Sequence, residues 1–441
     1  MMRKIKKVTS MLFACLFMGI SLTDCTIVTD SKRNSINIVK VDAKKLQAPT
    51  YGEMDSSAQA VANGTNVFAF KLSAALAKNI GHDNFVCSPY SVWMPLAALV
   101  NATDTKNQDA LLKALSASGI SASDINRAAS RMLYDLTKLR YNEIMDNGQY
   151  HNPLKIANAI FVGKNVTLRK DFAQTFMDFY RGNTMSVDFE SNDAVKAVNQ
   201  WANEQTEGLI TDLVQEFDPK TIAAIANAIY FSDRWDLEFN PNETSNGVFH
   251  AQTEDKTVPY MLHESDGQTY YEDDRVQAMP LHFKSGGGMY IILPKSGDAV
   301  ELLSSMTNDY FNEIQQDSIQ ATGKLLLPRF SIESDVRKLK DALIELGVPL
   351  FDDKSAPLKG GIIEENIPVW LSDAMQKAII KVDEKGTTAA AVTIMAMAGS
   401  SMPMPTKPFE MICNKPFIFV LYENTYDGGS QVLFTGIVNK P

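Results

Sequence analysis

The sequence has few cysteines, which removes two kinds of stabilised or metal-binding fold. Only four of its 441 residues are cysteine, and two of them, Cys15 and Cys25, lie in the N-terminal segment. The remaining pair, Cys87 and Cys413, forms neither a disulfide framework nor a four-ligand zinc site. Their apolar neighbours favour buried structural thiols. We therefore predict that the body of the chain has no metal site and no cofactor.

Sequence motifs typical of enzymes and of nucleic-acid-binding proteins are also missing. The five histidines form no His-Glu-x-x-His pair, and the sequence contains no Gly-x-Ser-x-Gly elbow. The triplet Gly286-Gly287-Gly288 lacks phosphate-binding spacing and predicts a turn. The net charge of -10 comes without a basic stripe, so nucleic acid is not expected as a partner. An enzyme is the first rival hypothesis, and turnover of ester or peptide substrates would revive it.

Long apolar runs are scarce as well, and the one that matters stands near the N-terminus. It covers residues 8–20, follows four basic residues, and is shorter than the ~20 residues that span a bilayer. Residues 1–25 are therefore predicted to be an export signal. The sequence Leu22-Thr23-Asp24-Cys25 resembles a bacterial lipobox, which implies lipidation of Cys25. An ordinary cleaved signal is the alternative, so the protein is expected to be an outer-membrane lipoprotein or secreted.

Beyond the signal, the sequence predicts a short tether and one large domain. Residues 26–60 are polar and without sustained periodicity, as in a flexible linker. Residues 61–441 show no internal repeat, and the 45% hydrophobic content of the chain is enough for a packed core. Helices are predicted mainly in the first half and strands in the second, which indicates an α+β fold. The expected membrane contact is through the N-terminal lipid only, and the expected state is a monomer.

Hydrophobic periodicity, caps and turn residues place the main elements. Helices are predicted near residues 66–76 and 109–115, after Ser191 until Gly208, and between a cap at Ser334 and a stop at Gly347. The predicted strands are 156–162, 222–231, 289–293, 325–327, 378–382, and a C-terminal buried hairpin of 417–422 and 432–437.

The segment at about residues 383–413, between two predicted strands, carries the strongest functional signal. From Thr387 to Met402 it contains no charge, no proline and a single glycine, Gly399. Read with a period of two, both of its faces are small or apolar, as a strand buried inside a sheet requires. Gly386 precedes the run and can adopt the backbone angles of a hinge. A disordered loop and a helix remain alternatives on composition alone.

Several motifs in this chain resemble those of the serpin family. One run resembles the hinge of inhibitory serpins: Glu384-Lys385-Gly386-Thr387-Thr388-Ala389-Ala390-Ala391. A second run resembles the motif that follows the serpin bait loop: Asn414-Lys415-Pro416-Phe417-Ile418-Phe419. Three further motifs are similar to family signatures: Asn84-Phe85-Val86-Cys87-Ser88-Pro89-Tyr90-Ser91, Asn227-Ala228-Ile229-Tyr230-Phe231 followed by Trp235, and Leu327-Pro328-Arg329-Phe330. The motifs occur in family order over about residues 66–441. The chain is identified as a bacterial inhibitory serpin.

This resemblance implies a fold and a mechanism. The implied fold has helices packed around three β-sheets, with a long exposed reactive-centre loop. The implied partner is a serine protease, with a cysteine protease as a second class. The protease would attack the loop and form an acyl-enzyme. The cut loop would then enter the central sheet and hold the protease in a covalent 1:1 complex.

The resemblance also assigns roles to residues of the loop. The implied hinge consists of Glu384, Gly386, Thr387, Thr388, Ala389, Ala390 and Ala391. Counting forward from Gly386 places the reactive bond between Ser400 and Ser401, whereas counting back from Asn414 brings Met402 and Met404 into contention. Each choice offers uncharged residues, which suit elastase-like or subtilisin-like pockets rather than trypsin-like ones.

Two further groups are implied around the sheet that must open. The polar cluster beneath it, which we call the shutter, matches Ser88, Ser91, Asn227 and Gln376. Gln376 stands where the family usually has a histidine; it can donate and accept hydrogen bonds but cannot gain a charge. The group at the insertion point, which we call the breach, matches Trp235, Arg329 and Glu384. Ordinary core packing and hydrogen bonding are the alternative interpretation of both groups.

Two non-enzymatic rivals remain at this point. A non-inhibitory serpin-fold binding protein on the cell envelope would keep the fold and lose loop insertion. The small, uncharged residues from Thr387 to Ala391 favour inhibition instead. A surface adhesin has no specific support in the sequence.

Overall fold

The computed structural model describes residues 37–44, 56–138, 154–206, 208–335, 339–359, 361–387, 408–425 and 429–441. Its helices are α1 (Ser56–Ala77), α2 (Pro89–Leu99), α3 (Thr105–Ala114), α4 (Ala122–Lys138), α5 (Lys170–Tyr180), α6 (Asn192–Gln205), α7 (Ala299–Ser305), α8 (Asn308–Gln316) and α9 (Leu339–Glu345). Its strands are β1 (Asn37–Ile38), β2 (Phe85–Cys87), β3 (Leu154–Gly163), β4 (Gly182–Val187), β5 (Ala223–Phe231), β6 (Ser245–His250), β7 (Asp255–Glu272), β8 (Val276–His282), β9 (Gly288–Pro294), β10 (Ile319–Pro328), β11 (Phe330–Asp335), β12 (Asp373–Val382), β13 (Phe409–Ile412), β14 (Phe417–Asn424) and β15 (Ser430–Val438).

Polar caps begin several of the helices, as the sequence leads one to expect. The Ser191 side chain accepts a hydrogen bond from the Asp193 amide at the start of α6, and Ser88 and Asp104 act similarly for α2 and α3. Gly208, just beyond α6, has a φ of +90°. The helix predicted after Ser191 is therefore confirmed, with its cap.

The prediction for Ser334 is wrong. It lies in β11, where it pairs with Ala378 of β12, and helix α9 begins only at Leu339. A serine before an apolar period is typical of a helix cap, but here the backbone donors and acceptors are used by the neighbouring strand.

The strands form two hydrogen-bonded sheets among the described residues. The six-stranded sheet has the order β1-β4-β3-β5-β12-β11, and the nine-stranded sheet has the order β13-β10-β7-β8-β9-β14-β15-β2, with β6 on β7. Strand β7 is 18 residues long; its main part pairs with β6 and β10, while its last two residues pair with β8. Two of the three sheets expected from the resemblance are thus joined through β7. The α+β class and the buried C-terminal hairpin β14-β15 are confirmed.

The six-stranded sheet has a different apolar layer on each face. Its inner face belongs to the main core, together with α1, α2 and the nine-stranded sheet. Its outer face packs against α6 through a smaller core, to which β5 contributes Ala224, Ala226 and Ala228. Among the described residues, no helix is both long and apolar enough to cross a membrane.

The boundary between β5 and β12 is the feature of this sheet that matters most for function. These two strands are directly hydrogen-bonded and parallel, from the pair Asp373–Ala224 to the pair Ile379–Tyr230. Their other neighbours, β3 and β11, run antiparallel to them. We call this boundary the seam. Parallel pairing is slightly weaker per residue than antiparallel pairing, so the seam is weaker per residue than the boundaries on either side of it, as is the other parallel pair of this sheet, β3-β4.

Candidate functional site

The chain reverses direction immediately after β12 and returns toward the seam. The Asp383 amide donates to the Gly386 carbonyl over 3.0 Å, and Gly386 also forms a bridge with Arg234, which follows β5. The Thr387 amide then donates to the Asp233 carbonyl over 2.8 Å. The backbone of residues 383–387 is therefore bonded toward both strands of the seam.

Any side chain in place of the hydrogen of Gly386 would force the surrounding residues to move. Its φ is +156°, a conformation that residues with a side chain rarely adopt. A Cβ at this position would lie 2.0 Å from the Asp233 carbonyl oxygen. The close approach of the returning chain to the end of β5 thus depends on the missing side chain.

Thr387 is fully buried and hydrogen-bonded between the two strand ends. Its Oγ1 accepts a hydrogen bond from the Asp233 amide at 3.0 Å, and the residue is 0% exposed. The carboxylate of Asp233 accepts hydrogen bonds from the Arg234 amide at 2.7 Å and from the Ser285 hydroxyl. A hydroxyl is accommodated in this site, whereas an unpaired charge would lose its hydration without replacement.

The breach residues predicted from the sequence lie together around this turn. The Trp235 Nε1 donates to the Asp383 carbonyl over 2.9 Å, and its ring stacks on Phe283 with 4.8 Å between centroids. The Arg329 Nε lies 2.8 and 2.9 Å from the two carboxylate oxygens of Glu384. The contacts hold the turn against the ends of β5 and β10.

The charge pair at the breach is asymmetric in exposure. The Glu384 side chain is 7% exposed and that of Arg329 is 45% exposed. Thr244 also donates to Glu384, over 2.6 Å. Burial acts to raise the pKa of Glu384, but the hydrogen bonds from Arg329 and Thr244 outweigh it and hold that pKa below its usual value. The carboxylate is therefore ionised and bonded at neutral pH.

The shutter residues also come together, beneath the seam. Asn227 of β5 and Gln376 of β12 are directly paired in register, and Gln376 Nε2 lies 3.1 Å from Asn227 Oδ1. On the other side, Asn227 pairs with Asn158 of β3 and donates to its Oδ1 over 2.8 Å. We call these three side chains the amide row; all are at most 2% exposed.

Two serines of α2 complete the hydrogen bonding of the amide row. The Ser88 amide donates to Gln376 Oε1 over 2.9 Å, and Gln376 Nε2 donates back to the Ser88 carbonyl over 2.8 Å. The Ser91 hydroxyl donates to Asn227 Oδ1 over 2.6 Å. Glutamine thus satisfies this network with neutral groups on both sides of the seam.

Some predicted residues lie outside the described part of the chain. These are Thr388, Ala389, Ala390 and Ala391 of the hinge, Ser400, Ser401, Met402 and Met404 of the reactive bond, and Cys25.

The structure also brings in residues that the sequence did not single out. Asn158 had a weak signal, since it is a polar residue within an apolar strand. Asp233 and Thr244 had none, because their importance comes from contacts with residues 384–387, at sequence separations of 154 and 140.

Comparison with known proteins agrees with this geometry. The model of the family described as Serpin (serine protease inhibitor) matches residues 63–441. An uncharacterised serpin-like protein of Thermococcus kodakarensis is 30% identical, over 86% of this chain and 86% of its own. The antitrypsin of Bombyx mori is 30% identical, over 85% of this chain and 93% of its own. The crystal structure of Serpin48 from the insect Tenebrio molitor has a TM-score of 0.74 and 28% identity, with 88% of this chain and all of that one covered.

The match spans most of the chain and contains the hinge, the breach and the shutter. Members of this family are mostly protease inhibitors, which implies a protease as partner. The chain belongs to the serpin family.

Proposed function

We propose that this protein inhibits a serine protease as a suicide substrate. The protease cuts the segment after the hinge and becomes esterified to it. The freed strand then inserts at the seam before the ester is hydrolysed. The outcome is a covalent 1:1 complex in which the active site of the protease no longer has the geometry needed to hydrolyse the ester.

One observation carries this proposal, namely the register of the hinge. In the seam, Gln376 pairs with Asn227, a difference of 376 − 227 = 149 positions. Gly386 bridges both Asp383 and Arg234, and 383 − 234 is also 149. A strand that continued from Gly386 into the seam would therefore meet β12 and β5 in the register they already share. It would run antiparallel to both.

This register predicts which residue would reach the amide row. Thr387 stands opposite Val382 in this count, so Thr393 would come between Asn227 and Gln376. Thr393 lies outside the described residues, and its position here is that expected after insertion. A hydroxyl can donate and accept, so it would bridge the two amides when the strand separates them.

The same count predicts the two faces of the inserted strand. Val382, which stands opposite Thr387 in this count, belongs to the main core, so Thr387 and alternate residues after it would face inward. They are Thr387, Ala389, Ala391, Thr393 and Met395. The first of these residues to enter are small, which suits insertion into a sheet whose inner face is already close-packed.

The uncharged loop sequence supports an elastase-like or subtilisin-like target. We propose the bond between Ser400 and Ser401 as the reactive bond, with Met402 and Met404 as alternatives. Serpins related to this chain are mostly secreted or extracellular, which agrees with export. Lipidation at Cys25 and attachment to the outer membrane are part of the proposal.

A gel assay with matched proteases tests the function. The full chain is incubated with pancreatic elastase, subtilisin or trypsin. A complex that survives boiling in detergent is expected with the first two. Mass spectrometry of the released C-terminal peptide identifies the bond. The control is Ala391→Glu, which should be cut at the same bond without forming complex, because a charge would have to enter the sheet at an inward-facing position.

Cleavage of the wild-type chain without any stable complex would contradict the proposal. That result would favour a non-inhibitory serpin-fold binding protein.

A further inference from the structure

Residues 37–44 form a small structure of their own on the edge of the six-stranded sheet, and we call it the edge clamp. Ile38 pairs with Met185 of β4, and the Val39 amide donates to the Thr184 carbonyl over 3.3 Å. Val39 also packs against the main core. Within the predicted tether 26–60, this part is therefore bound to the domain, because β4 offers it an unpaired strand edge.

The edge clamp is bound equally to helix α5. The Lys44 amide and its Nζ lie 3.0 and 2.9 Å from the two carboxylate oxygens of Asp178. Gln174 donates to the Asp42 carbonyl over 2.8 Å, and Arg181 donates to the Lys44 carbonyl over 2.5 Å. The Asp178 side chain is 4% exposed, so removal of Lys44 would leave a nearly buried carboxylate with fewer partners.

These contacts involve residues that precede the matched part of the chain. The family model matches residues 63–441, so β1 and Lys44 lie before the match. The role of the edge clamp is therefore inferred from its own contacts.

The position of the edge clamp relative to the seam indicates that role. Strands β4, β3 and β5 form one side of the sheet, and the seam is their boundary with β12. Helix α5 belongs to the helical layer, where it packs against α2 and α4. For a strand to enter at the seam, one side of the sheet must move across that layer. A segment bonded to both β4 and α5 resists movement of the β4 side.

We propose that the edge clamp slows opening of the seam in the uncut protein, which keeps the loop from inserting before a protease arrives. The purpose of the edge clamp rests on the proposed function, whereas its effect on opening of the seam can be measured independently of that function. The edge clamp slows opening of the seam in the uncut protein through hydrogen bonds, and point variants can remove these bonds one at a time.

Hydrogen–deuterium exchange of the uncut full-length chain measures the opening directly. Val39→Pro removes the amide that bonds Thr184, and Val39→Ala keeps it, so the two form a matched pair. Lys44→Ala removes the ion pair, and Lys40→Ala, at an exposed position, is its control. We expect amides of β5 and β12 to exchange about tenfold faster in Val39→Pro and Lys44→Ala, which is about 1.4 kcal/mol. Lys40→Ala should match the wild type, and Val39→Ala, which keeps the amide and loses only side-chain packing, should exchange more slowly than Val39→Pro.

A second readout ties the edge clamp to the loop. The uncut variants are held at 45 °C, and the fraction still able to form the detergent-stable complex is followed with time. We expect Val39→Pro to lose that fraction several-fold faster than Val39→Ala. Unchanged exchange at the seam in both clamp variants would overturn the inference, because it would mean that the β12 side moves instead. If no variant forms complex, the proposed function fails, while the exchange ratios still decide the role of the edge clamp.

Discussion

Cutting the loop between residues 388 and 407 is expected to make the protein more stable to heat. The magnitude follows from the seam, where seven residue pairs join β5 and β12. An inserted strand exchanges this one ladder for two, a net gain of roughly seven hydrogen bonds. At about 0.5–1.5 kcal/mol for each net bond, the gain is about 4–10 kcal/mol.

This free energy converts into a measurable rise in Tm. The entropy of unfolding is about 2.1 cal/mol/K per residue, or about 0.8 kcal/mol/K for a domain of roughly 380 residues. The hydrogen bonds alone therefore predict a rise of about 5–12 °C. Burial of the inward-facing residues, including Met395, adds to this rise, and the conformational entropy lost when the loop becomes ordered offsets part of it.

The assay compares circular-dichroism melting curves of intact and nicked protein, with nicking by a protease that is not trapped. Ala391→Glu is the control, because the count places residue 391 facing inward after insertion, where an unpaired charge would block entry of the strand. Its nicked form should melt no higher than its intact form. An unchanged Tm of the nicked wild-type chain would refute the reasoning, since the register argument requires the inserted state to be the more stable one.

Four further predictions concern the breach, the shutter and the hinge. Glu384→Lys should polymerise on mild heating at pH 7, since two cations would meet at Arg329 at a cost of roughly 2–3 kcal/mol; native gels showing an unchanged monomer would count against this. Because the pKa of Glu384 is lowered in the folded protein, its contribution to stability is present above the usual carboxyl pKa and lost as the pH falls through the lowered value. The wild type should therefore begin to polymerise only in acid. Gln376→Leu should lower the free energy of unfolding by about 1–3 kcal/mol, because it leaves the buried Ser88 amide without its acceptor; a urea midpoint equal to that of the wild type would disagree. Gly386→Ala should shift the turn away from Asp233 and lower the fraction of protease trapped per cleavage, and the ratio of complex to cut protein on gels measures it.

Local pattern was enough to predict much of this fold. The helix after Ser191, the apolar strands and the C-terminal hairpin follow from caps and periodicity, and the structure has them. Ser334 shows the limit of local reasoning. Its neighbourhood is typical of a cap, yet the backbone of a distant strand decides its conformation. Residues 37–44 show the same limit, because the hydrogen-bond partners that the described residues provide for them are more than 130 residues away.

For the candidate site too, some residues have a local sequence signal and others have none. The resemblance singled out Glu384 and Trp235 through the motifs in which they stand, and Gln376 through its place in the strand before the hinge. No run identifies Asp233, although its backbone receives the returning chain. Its role is set by two hydrogen bonds across 154 positions, and such a relation has no local signature.

The outer face of β5 has a mechanical consequence. Where α6 lies over this strand, the contact is made by the methyl groups of Ala224, Ala226 and Ala228. Methyl groups interlock little, so the overlying helix can glide across the strand without changing rotamers or opening voids. A bulky residue in place of Ala226 would hinder movement of α6 across β5. The outer face of β5 therefore resists relative movement of sheet and helix less than a face of interlocking large side chains would.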